Sequence, residues 1–306
     1  YLGVECENLN ELTGQVMSKF EQYLQQNTTH VVVVVDDLAS TMAAAIVAKK
    51  QGIALAHIAA GTRSFDINMP KEINRLVIDG LSDVLFTAGL SNNSIANKEG
   101  AELSRVYMVG NILIDNIRFN RSRMGDLSLE NIASVSELQL KPKQYLVFTL
   151  NRKALMSNKA NLERMLETMS EAAGNMPIIA PLRTDAAQVV QLLDASKHRN
   201  LHIVQPLGYL EFSYLLLNAA GVITDSGNVA EEATFTNVSC ATLNSYTEHI
   251  ETVKQGTNVL VGEDAQKLRT AVSDMVSGKW KTATIPDRWD GRSAERIIQT
   301  LIDFVK

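Results

Sequence analysis

Apolar and polar residues alternate along the chain in two different rhythms. In segment 7–26, apolar residues recur at every fourth position from Leu12 to Leu24, which predicts a helix with one buried face. The run VVVVV at 31–35 follows and is typical of a strand buried on both faces of a parallel sheet. Helical segments and short apolar strands then alternate, with short connections, to about residue 117. This alternation predicts an α/β fold with a doubly wound parallel sheet.

A polar stretch at about 118–143 interrupts this alternation and ends in KPK. We therefore predict a first Rossmann-like domain at 1–120 and a second at 121–293, with a last helix at about 294–306 that joins the first domain. The second half repeats the strand and helix pattern, so two similar domains with a cleft between them are expected. Ligands of open α/β sheets bind at the carboxyl ends of the strands. The loops that follow the strands are therefore the candidate site.

Composition and charge exclude several classes of protein. Hydrophobic residues make up 45% of the 306 residues and charged residues 21%, which is typical of a globular chain. The net charge is −5 and there is no basic stripe, so no nucleic-acid partner is expected. No apolar run approaches the roughly 20 residues that span a bilayer, so no membrane partner is expected either. Cys6 and Cys240 fit no disulfide or metal spacing, which predicts buried thiols and a cytoplasmic protein.

The segment TDSGNVAEEA at 224–233 is the most informative local motif. It predicts a strand, a turn at Ser226 and Gly227, and a helix, and N–H groups at such a turn bind phosphate oxygens. Glu232 lies one or two turns into the helix, where a carboxylate could hold two ribose hydroxyls. An ordinary capped helix, with Ser226 or Asn228 as the cap, is the alternative interpretation.

Two acidic residues, Asp36 and Asp37, come directly after the VVVVV run. At the carboxyl end of a strand they could serve as a general base and its partner. They could equally cap the helix that follows. His57 lies within an apolar strand, and in that setting a hydrogen-bonded core histidine is the more common finding than a catalyst.

The stretch HIAAGTRSFDINMPKEINR at 57–75 is rich in polar and charged residues. Arginines such as Arg63 and Arg75 suit carboxylate or phosphate ligands when they lie in a cleft. A network of internal salt bridges between the loop and its helix, with Glu72 as one member, is an equal alternative.

Several ordered motifs resemble the UDP-N-acetylglucosamine 2-epimerase family over nearly the whole chain. The stretch at 57–75 resembles the family pattern H-V-E-A-G-L-R-S-F-D-x-x-M-P-E-E-I-N-R, and PLGYLEFSYLLLNAAGVITDSGNVAEEA and VGNILID resemble two further patterns. The resemblance implies a glycosyltransferase B type fold, with two Rossmann-like domains facing a cleft that holds a UDP-sugar. It implies a homodimer, and we expect no metal ion and no cofactor.

The resemblance also implies roles for individual residues. Ser226 and Gly227 would hold the diphosphate, Glu232 the ribose, and Phe212 would lie near the uracil. Three arginines complete the expected set of ligand-binding residues: Arg75, Arg152 and Arg183.

The family reaction removes the proton at C2 of the sugar and eliminates UDP, which requires carboxylates and cations. Asp37 matches the family's retained acid, whereas three expected groups are replaced by Ala59, Lys71 and Asn151. The first amino-terminal loop of the family pattern has no counterpart, so the first domain is expected to be truncated. We therefore predict a UDP-sugar-binding protein in which epimerase activity is weak or lost.

Two alternatives to this prediction stay open. The chain could be an active epimerase with a rearranged acid set formed by Asp36, Asp37 and Glu72. A glycosyl-transfer enzyme is a further alternative, supported only by analogy of fold.

Overall fold

The computed structural model describes residues 1–102 and 105–305. The chain forms two compact units, one of residues 1–115 and 287–306 and the other of residues 116–286. Each unit contains one parallel β-sheet with helices around it. None of the helices in the described residues is long and apolar enough to cross a membrane.

The first unit has a four-stranded parallel sheet in the order β1-β2-β3-β4. Its strands are β1 (Val31–Val35), β2 (Ala54–Ala60), β3 (Val84–Thr87) and β4 (Val106–Met108). Its helices are α1 (Leu9–Gln26), α2 (Ala39–Lys50), α3 (Pro70–Leu81) and α4 (Leu90–Lys98), followed by α5 (Ile112–Gly125), in which the chain passes into the second unit. The last helix, α13 (Ser293–Val305), also belongs to the first unit.

Strand β1 lies at an edge of this sheet, and the expectation that both of its faces are buried is wrong. Val32 and Val34 are buried in a cluster with Leu24 of α1 and Ile78 of α3. Val33 and Val35, on the opposite face, are 40% and 48% exposed. A run of five valines has no polar position to mark its solvent side, so the sequence pattern could not reveal this difference.

Helix α13 is fixed to the first unit at its amino-terminal end and along one side. The Asp115 carboxylate accepts hydrogen bonds from the N–H groups of Ser293 (3.0 Å) and Ala294 (2.8 Å). Just before the helix, the fully buried Trp289 donates from Nε1 to the carbonyl of Ala88 at 3.0 Å. Farther along, Ile297 packs in one apolar cluster with residues of β2 and β3. These contacts tie the segment from Trp289 to Ile297 to a core built mainly from the start of the chain.

The second unit has a six-stranded sheet in which all pairs are parallel. Its strands are β5 (Leu146–Phe148), β6 (Ile178–Pro181), β7 (Leu201–Val204), β8 (Gly221–Thr224), β9 (Ser239–Thr242) and β10 (Asn258–Leu260). Its helices are α6 (Lys153–Ser157), α7 (Lys159–Ala173), α8 (Thr184–Gln191), α9 (Tyr209–Leu217), α10 (Gly227–Phe235), α11 (Glu251–Lys254) and α12 (Ala265–Ser277).

The strand order of the second unit is β7-β6-β5-β8-β9-β10. The chain winds outward from β5 to β7 and then returns to place β8 on the other side of β5. The order therefore reverses between β5 and β8, and ligands of such sheets bind beyond the carboxyl ends of the strands at this point. The loops that follow β5 and β8 are therefore the candidate site of the second unit.

The two cysteines differ in their surroundings. Cys240 is completely buried in strand β9, and burial raises its pKa to about 12. Cys6, in contrast, is exposed, so the expectation of two buried thiols is wrong for this residue. Cys6 precedes the first helix, in a segment with no apolar periodicity that could bury it.

Candidate functional site

The turn between β8 and α10 has the geometry of an anion-binding helix start. Ser226 is the residue before the first turn of α10 and has an extended backbone with φ −101°. Its N–H donates to the Thr224 hydroxyl at 3.0 Å, and its own side chain makes no capping hydrogen bond. Gly227 then opens the helix. The first N–H groups of a helix have no partner within it, so a helix start of this kind can bind phosphate oxygens.

Glu232 lies on the same helix and is only 6% exposed. Within the part of the chain that the structure describes, its carboxylate has no hydrogen bond and no ion pair. Burial, and then the negative charge of Glu231, raise its pKa to about 7. Buried polar groups normally have partners, so a buried carboxyl with none suits a ligand with hydroxyl donors.

Asp225 connects the loops after β5 and β8. Its Oδ2 atom accepts hydrogen bonds from the backbone N–H groups of Asn151 (2.8 Å) and Arg152 (2.6 Å). Its backbone carbonyl accepts a hydrogen bond from Nδ2 of Asn244, which follows β9, at 3.2 Å. The Arg152 guanidinium in turn donates from Nη1 to Oδ1 of Asn244 at 2.7 Å. The ends of three neighbouring strands are thus joined around the point where the strand order reverses.

The remaining expected ligand residues of the second unit lie on other elements. Arg183 precedes α8, after strand β6, and is exposed, and its guanidinium has no hydrogen bond or ion pair to any described residue. Phe212 is half-buried on α9 and packs against an apolar cluster that includes Leu215 and Ala230. The structure therefore brings Arg152 together with the Ser226 turn, whereas it shows no contact of Arg183 or Phe212 with that turn.

Asp37 of the first unit is engaged by two cations. It is 3% exposed, and Oδ2 accepts from Nε (2.8 Å) and Nη2 (2.7 Å) of Arg75 in a two-pronged pair. Lys71 Nζ lies 2.9 Å from Oδ1 on the other side. Burial by itself would raise the pKa of Asp37, but the close contact with Lys71 and the charges of Arg75 and Lys71 outweigh burial and lower the pKa.

Glu72 is also consumed by internal contacts. Its carboxylate accepts hydrogen bonds from the N–H groups of Ser64 (2.9 Å) and Phe65 (3.0 Å), and Arg75 Nη1 lies 3.2 Å from Oε2. Burial opposes ionisation, but these hydrogen bonds together lower the pKa of Glu72. Glu72 therefore fixes the loop before α3 and, with Arg75 and Asp37, forms a buried ion network, which was the internal alternative for this segment.

His57 belongs to a second buried network. Its Nδ1 atom lies 2.5 Å from Oδ1 of Asp79, and its Nε2 atom lies 3.2 Å from the Asp36 carbonyl oxygen. Asp79 also pairs with Arg63 at 2.8 Å and accepts from the Gly61 N–H at 2.9 Å. Burial would raise the pKa of Asp79, but His57 and Arg63 lower it. Arg63 is thus an internal partner rather than a free cation.

Ala59 and Asp36 both have left-handed backbone conformations, with φ of 72° and 64°. Such angles are uncommon for residues other than glycine and mark a strained strand end. Asp36 is exposed, and partial burial followed by the charge of Asp37 raises its pKa. The side chain of Ala59 carries no ionisable group, so the strained position next to Gly61 has no proton donor or acceptor of its own.

Sequence reasoning missed two acidic residues that organise these sites. Asp225 belongs to the TDSGN segment that follows a predicted strand, so its place at a strand end was a usable signal. No local signal marked Asp79, since its partners His57 and Arg63 come from another strand and its loop.

A parallel sheet in Rossmann order, with a serine and glycine turn at the start of a helix, is typical of the α/β proteins that bind nucleotides. Residues 1–302 match the sequence model of the family described as UDP-N-acetylglucosamine 2-epimerase. The chain belongs to this family. The predicted α/β fold class of glycosyltransferase B type is confirmed by the match to solved members.

Relatives and solved structures give the extent of this similarity. The UDP-N-acetylglucosamine 2-epimerase of Methanocaldococcus jannaschii is 35% identical over 95% of this chain and 80% of its own length. The UDP-2,3-diacetamido-2,3-dideoxy-D-glucuronate 2-epimerase of Pseudomonas aeruginosa is 31% identical over 95% of this chain and 80% of its own length. A crystal structure of the M. jannaschii enzyme with UDP-GlcNAc and UDP superposes with a TM-score of 0.83 at 33% identity, over 99% of this chain and 83% of that one.

Proposed function

We propose that this protein binds a UDP-sugar, UDP-GlcNAc or UDP-ManNAc, and that its 2-epimerase activity is weak or lost. The binding half of the proposal is supported by the second unit. The turn at Ser226 and Gly227 offers N–H groups to a diphosphate, and the buried Glu232 carboxyl is suited to the two ribose hydroxyls. The M. jannaschii relative binds UDP-GlcNAc and UDP in its crystal structure.

The catalytic half rests on one observation, the double engagement of Asp37 by Lys71 and Arg75. A general base must accept a proton, and a carboxylate held by two cations has a lowered pKa and a weakened tendency to do so. Lys71 occupies a position that is acidic in the family pattern. This one difference therefore removes an acid and also places a positive charge against Asp37. Ala59 and Asn151 remove two further ionisable groups.

The alternative of a rearranged acid set gains little support from this geometry. Glu72 is occupied by the Ser64 and Phe65 N–H groups and by Arg75, and its pKa is lowered. Asp36 is the member of the set that is both exposed and raised in pKa, which are properties of a usable base. An active enzyme would therefore have to depend on Asp36. The homodimer and the cytoplasmic location stay predictions from the sequence.

We expect the purified protein in D₂O to leave the C2 proton of UDP-GlcNAc in place over a day while it binds the ligand. Proton NMR follows the C2 signal, the manno epimer and free UDP in one sample, and isothermal titration calorimetry with UDP measures binding. The M. jannaschii enzyme serves as the positive control for exchange. C2 exchange that disappears in Asp36→Asn would establish the alternative, and an absence of UDP binding would contradict the proposal as a whole.

Restoring one acid is expected to leave the protein inactive. In Ala59→Glu a carboxylate returns to the strand end, but Asp37 stays paired with Lys71 and position 151 keeps its asparagine. Loss of one general acid or base typically costs about 10² to 10⁴ in rate. Restoring the carboxylate at position 59 therefore cannot compensate for the groups still missing at positions 71 and 151. The same NMR assay, with Ala59→Gln as the matched control, tests this. A large gain in C2 exchange for Ala59→Glu alone would show that the remaining acids suffice.

A further inference from the structure

Asn244 occupies a central position among the loops of the second unit. It comes directly after Leu243, at the end of β9, and both ends of its amide are engaged. Nδ2 donates to the Asp225 carbonyl at 3.2 Å, and Oδ1 accepts from Nη1 of Arg152 at 2.7 Å. Asn244 therefore joins the backbone before the Ser226 turn to the side chain of an arginine on the neighbouring loop.

Arg152 is held at two separate points. Its backbone N–H donates to Asp225 Oδ2 at 2.6 Å, which fixes where the side chain leaves the main chain. Its Nη1 group donates to Asn244 and, at 3.4 Å, to the carbonyl of Leu243. A long arginine side chain loses considerable rotamer freedom when it is ordered. Here contacts within the protein already order the side chain.

The other edge of the Arg152 guanidinium is open. Nε and Nη2 have no hydrogen bond to any residue that the structure describes, which leaves three N–H groups in the planar arrangement of an arginine fork. Such a fork matches the oxygens of a phosphate group. The loop carrying it lies beside the Ser226 turn, because its backbone is hydrogen-bonded to Asp225, the residue directly before Ser226.

We propose that Asn244, supported by Asp225, is a positioning residue that aims the open edge of Arg152 at the diphosphate of a bound UDP-sugar. This inference rests on the UDP binding proposed above. Asn244 itself does not contact the ligand in this arrangement. It acts by holding Nη1, so that Nε and Nη2 face the phosphates without further ordering.

The test compares UDP with uridine, which lacks the phosphates, by isothermal titration calorimetry on the full chain. Asn244→Ala is expected to weaken UDP binding about tenfold, the size of one lost charge-assisted contact, and to leave uridine binding within about twofold. In an Arg152→Ala background, Asn244→Ala should have no further effect on UDP. Ser245→Ala, a change at the exposed neighbouring residue, is the matched control and should bind both ligands as the wild type does.

The outcomes separate this inference from the function on which it rests. If the wild type binds UDP and Arg152→Ala weakens it, but Asn244→Ala does not, the positioning role is wrong and the proposed function stands. The inference would be overturned if Asn244→Ala lost equal affinity for UDP and uridine, or if it weakened UDP binding just as much in the Arg152→Ala background. Either result would show a merely structural role for Asn244. A wild type that binds no UDP overturns both. Asn244→Ser, which keeps a small polar side chain too short to reach Arg152, repeats the test if Asn244→Ala does not fold.

Discussion

Glu232→Gln should weaken UDP binding about 10- to 100-fold and at the same time stabilise the unliganded protein at pH 8. The loss of affinity follows from the proposed ribose contact, because an amide with one acceptor oxygen would replace a carboxylate that can accept from two hydroxyls. The gain in stability follows because the wild-type protein buries a carboxyl group that has no partner among the described residues. One substitution thus moves affinity and stability in opposite directions.

The raised pKa of Glu232 determines how the stability of the protein changes with pH. The pKa of Glu232 is raised to about 7 in the folded chain from an ordinary value of 4.5. Its stabilising contribution is therefore fully present below pH 4.5 and is lost as the pH rises through 7. The difference of pKa corresponds to about 3 kcal/mol of unfolding free energy. Glu232→Gln lacks this pH-dependent loss, so its free energy of unfolding should exceed that of the wild type most at pH 8.

Urea unfolding at pH 5 and pH 8, followed by circular dichroism, measures the stability, and calorimetry with UDP measures the affinity. Glu137→Gln, which removes an exposed carboxyl of the same unit, is the control and should change neither quantity. UDP affinity of the wild type should rise with pH through about 7, as Glu232 ionises. Affinity that is unchanged in Glu232→Gln would remove this residue from the ribose site, whatever happens to the stability.

Arg75→Met should destabilise the protein by about 3–5 kcal/mol, which is typical of breaking a buried ion pair from one side. Arg75 is 4% exposed and holds Asp37 with two nitrogens and Glu72 with a third contact. Its removal leaves two buried carboxylates close to one another with one cation fewer. Methionine keeps most of the volume, so the loss reports on charge more than on packing.

Lys71→Met is the matched control for this prediction. Lys71 pairs with the same carboxylate, but its side chain is 55% exposed, so its loss should cost less than about 1 kcal/mol. The pKa values of Asp37 and Glu72 are both lowered, so their contribution to stability is present above the ordinary pKa and is lost as the pH falls through the lowered value. The difference in unfolding free energy between Arg75→Met and the wild type should therefore become smaller at acidic pH. If Arg75→Met and Lys71→Met lost equal amounts of unfolding free energy, the buried Arg75 would be no more important for stability than the exposed Lys71.

Much of the architecture could be predicted from periodicity, because each strand and helix of an α/β fold has its own local pattern. Strand β1 shows the limit, since five identical valines contain no information about which face meets water. The order of the second sheet is another limit, because pairing of β5 with β8 joins segments about 75 residues apart. The fold class followed from the alternation alone, whereas the neighbours within the sheet required the structure.

The candidate sites were predictable to different extents. The Ser226 turn and Glu232 share one helix, so spacing along the sequence was enough to group them. Asp225 and Asn151 are separated by 74 positions, and only the folded sheet places one against the other. The pairing of Lys71 with Asp37 was hidden for the same reason. Backbone angles such as that of Ala59 depend on the surrounding loop and leave no mark in composition.

The pairing of Lys71 with Asp37 also constrains the mutational routes open to this gene. A change of Lys71 to an acid would remove one of two cations from Asp37 and add another negative charge beside Asp36 and Asp37. The repulsion arises at once, whereas under the proposed function a catalytic gain would also require ionisable groups at positions 59 and 151. Each single step is therefore neutral or unfavourable. The ion pair between Lys71 and Asp37 therefore disfavours an acid at position 71 unless other positions change with it.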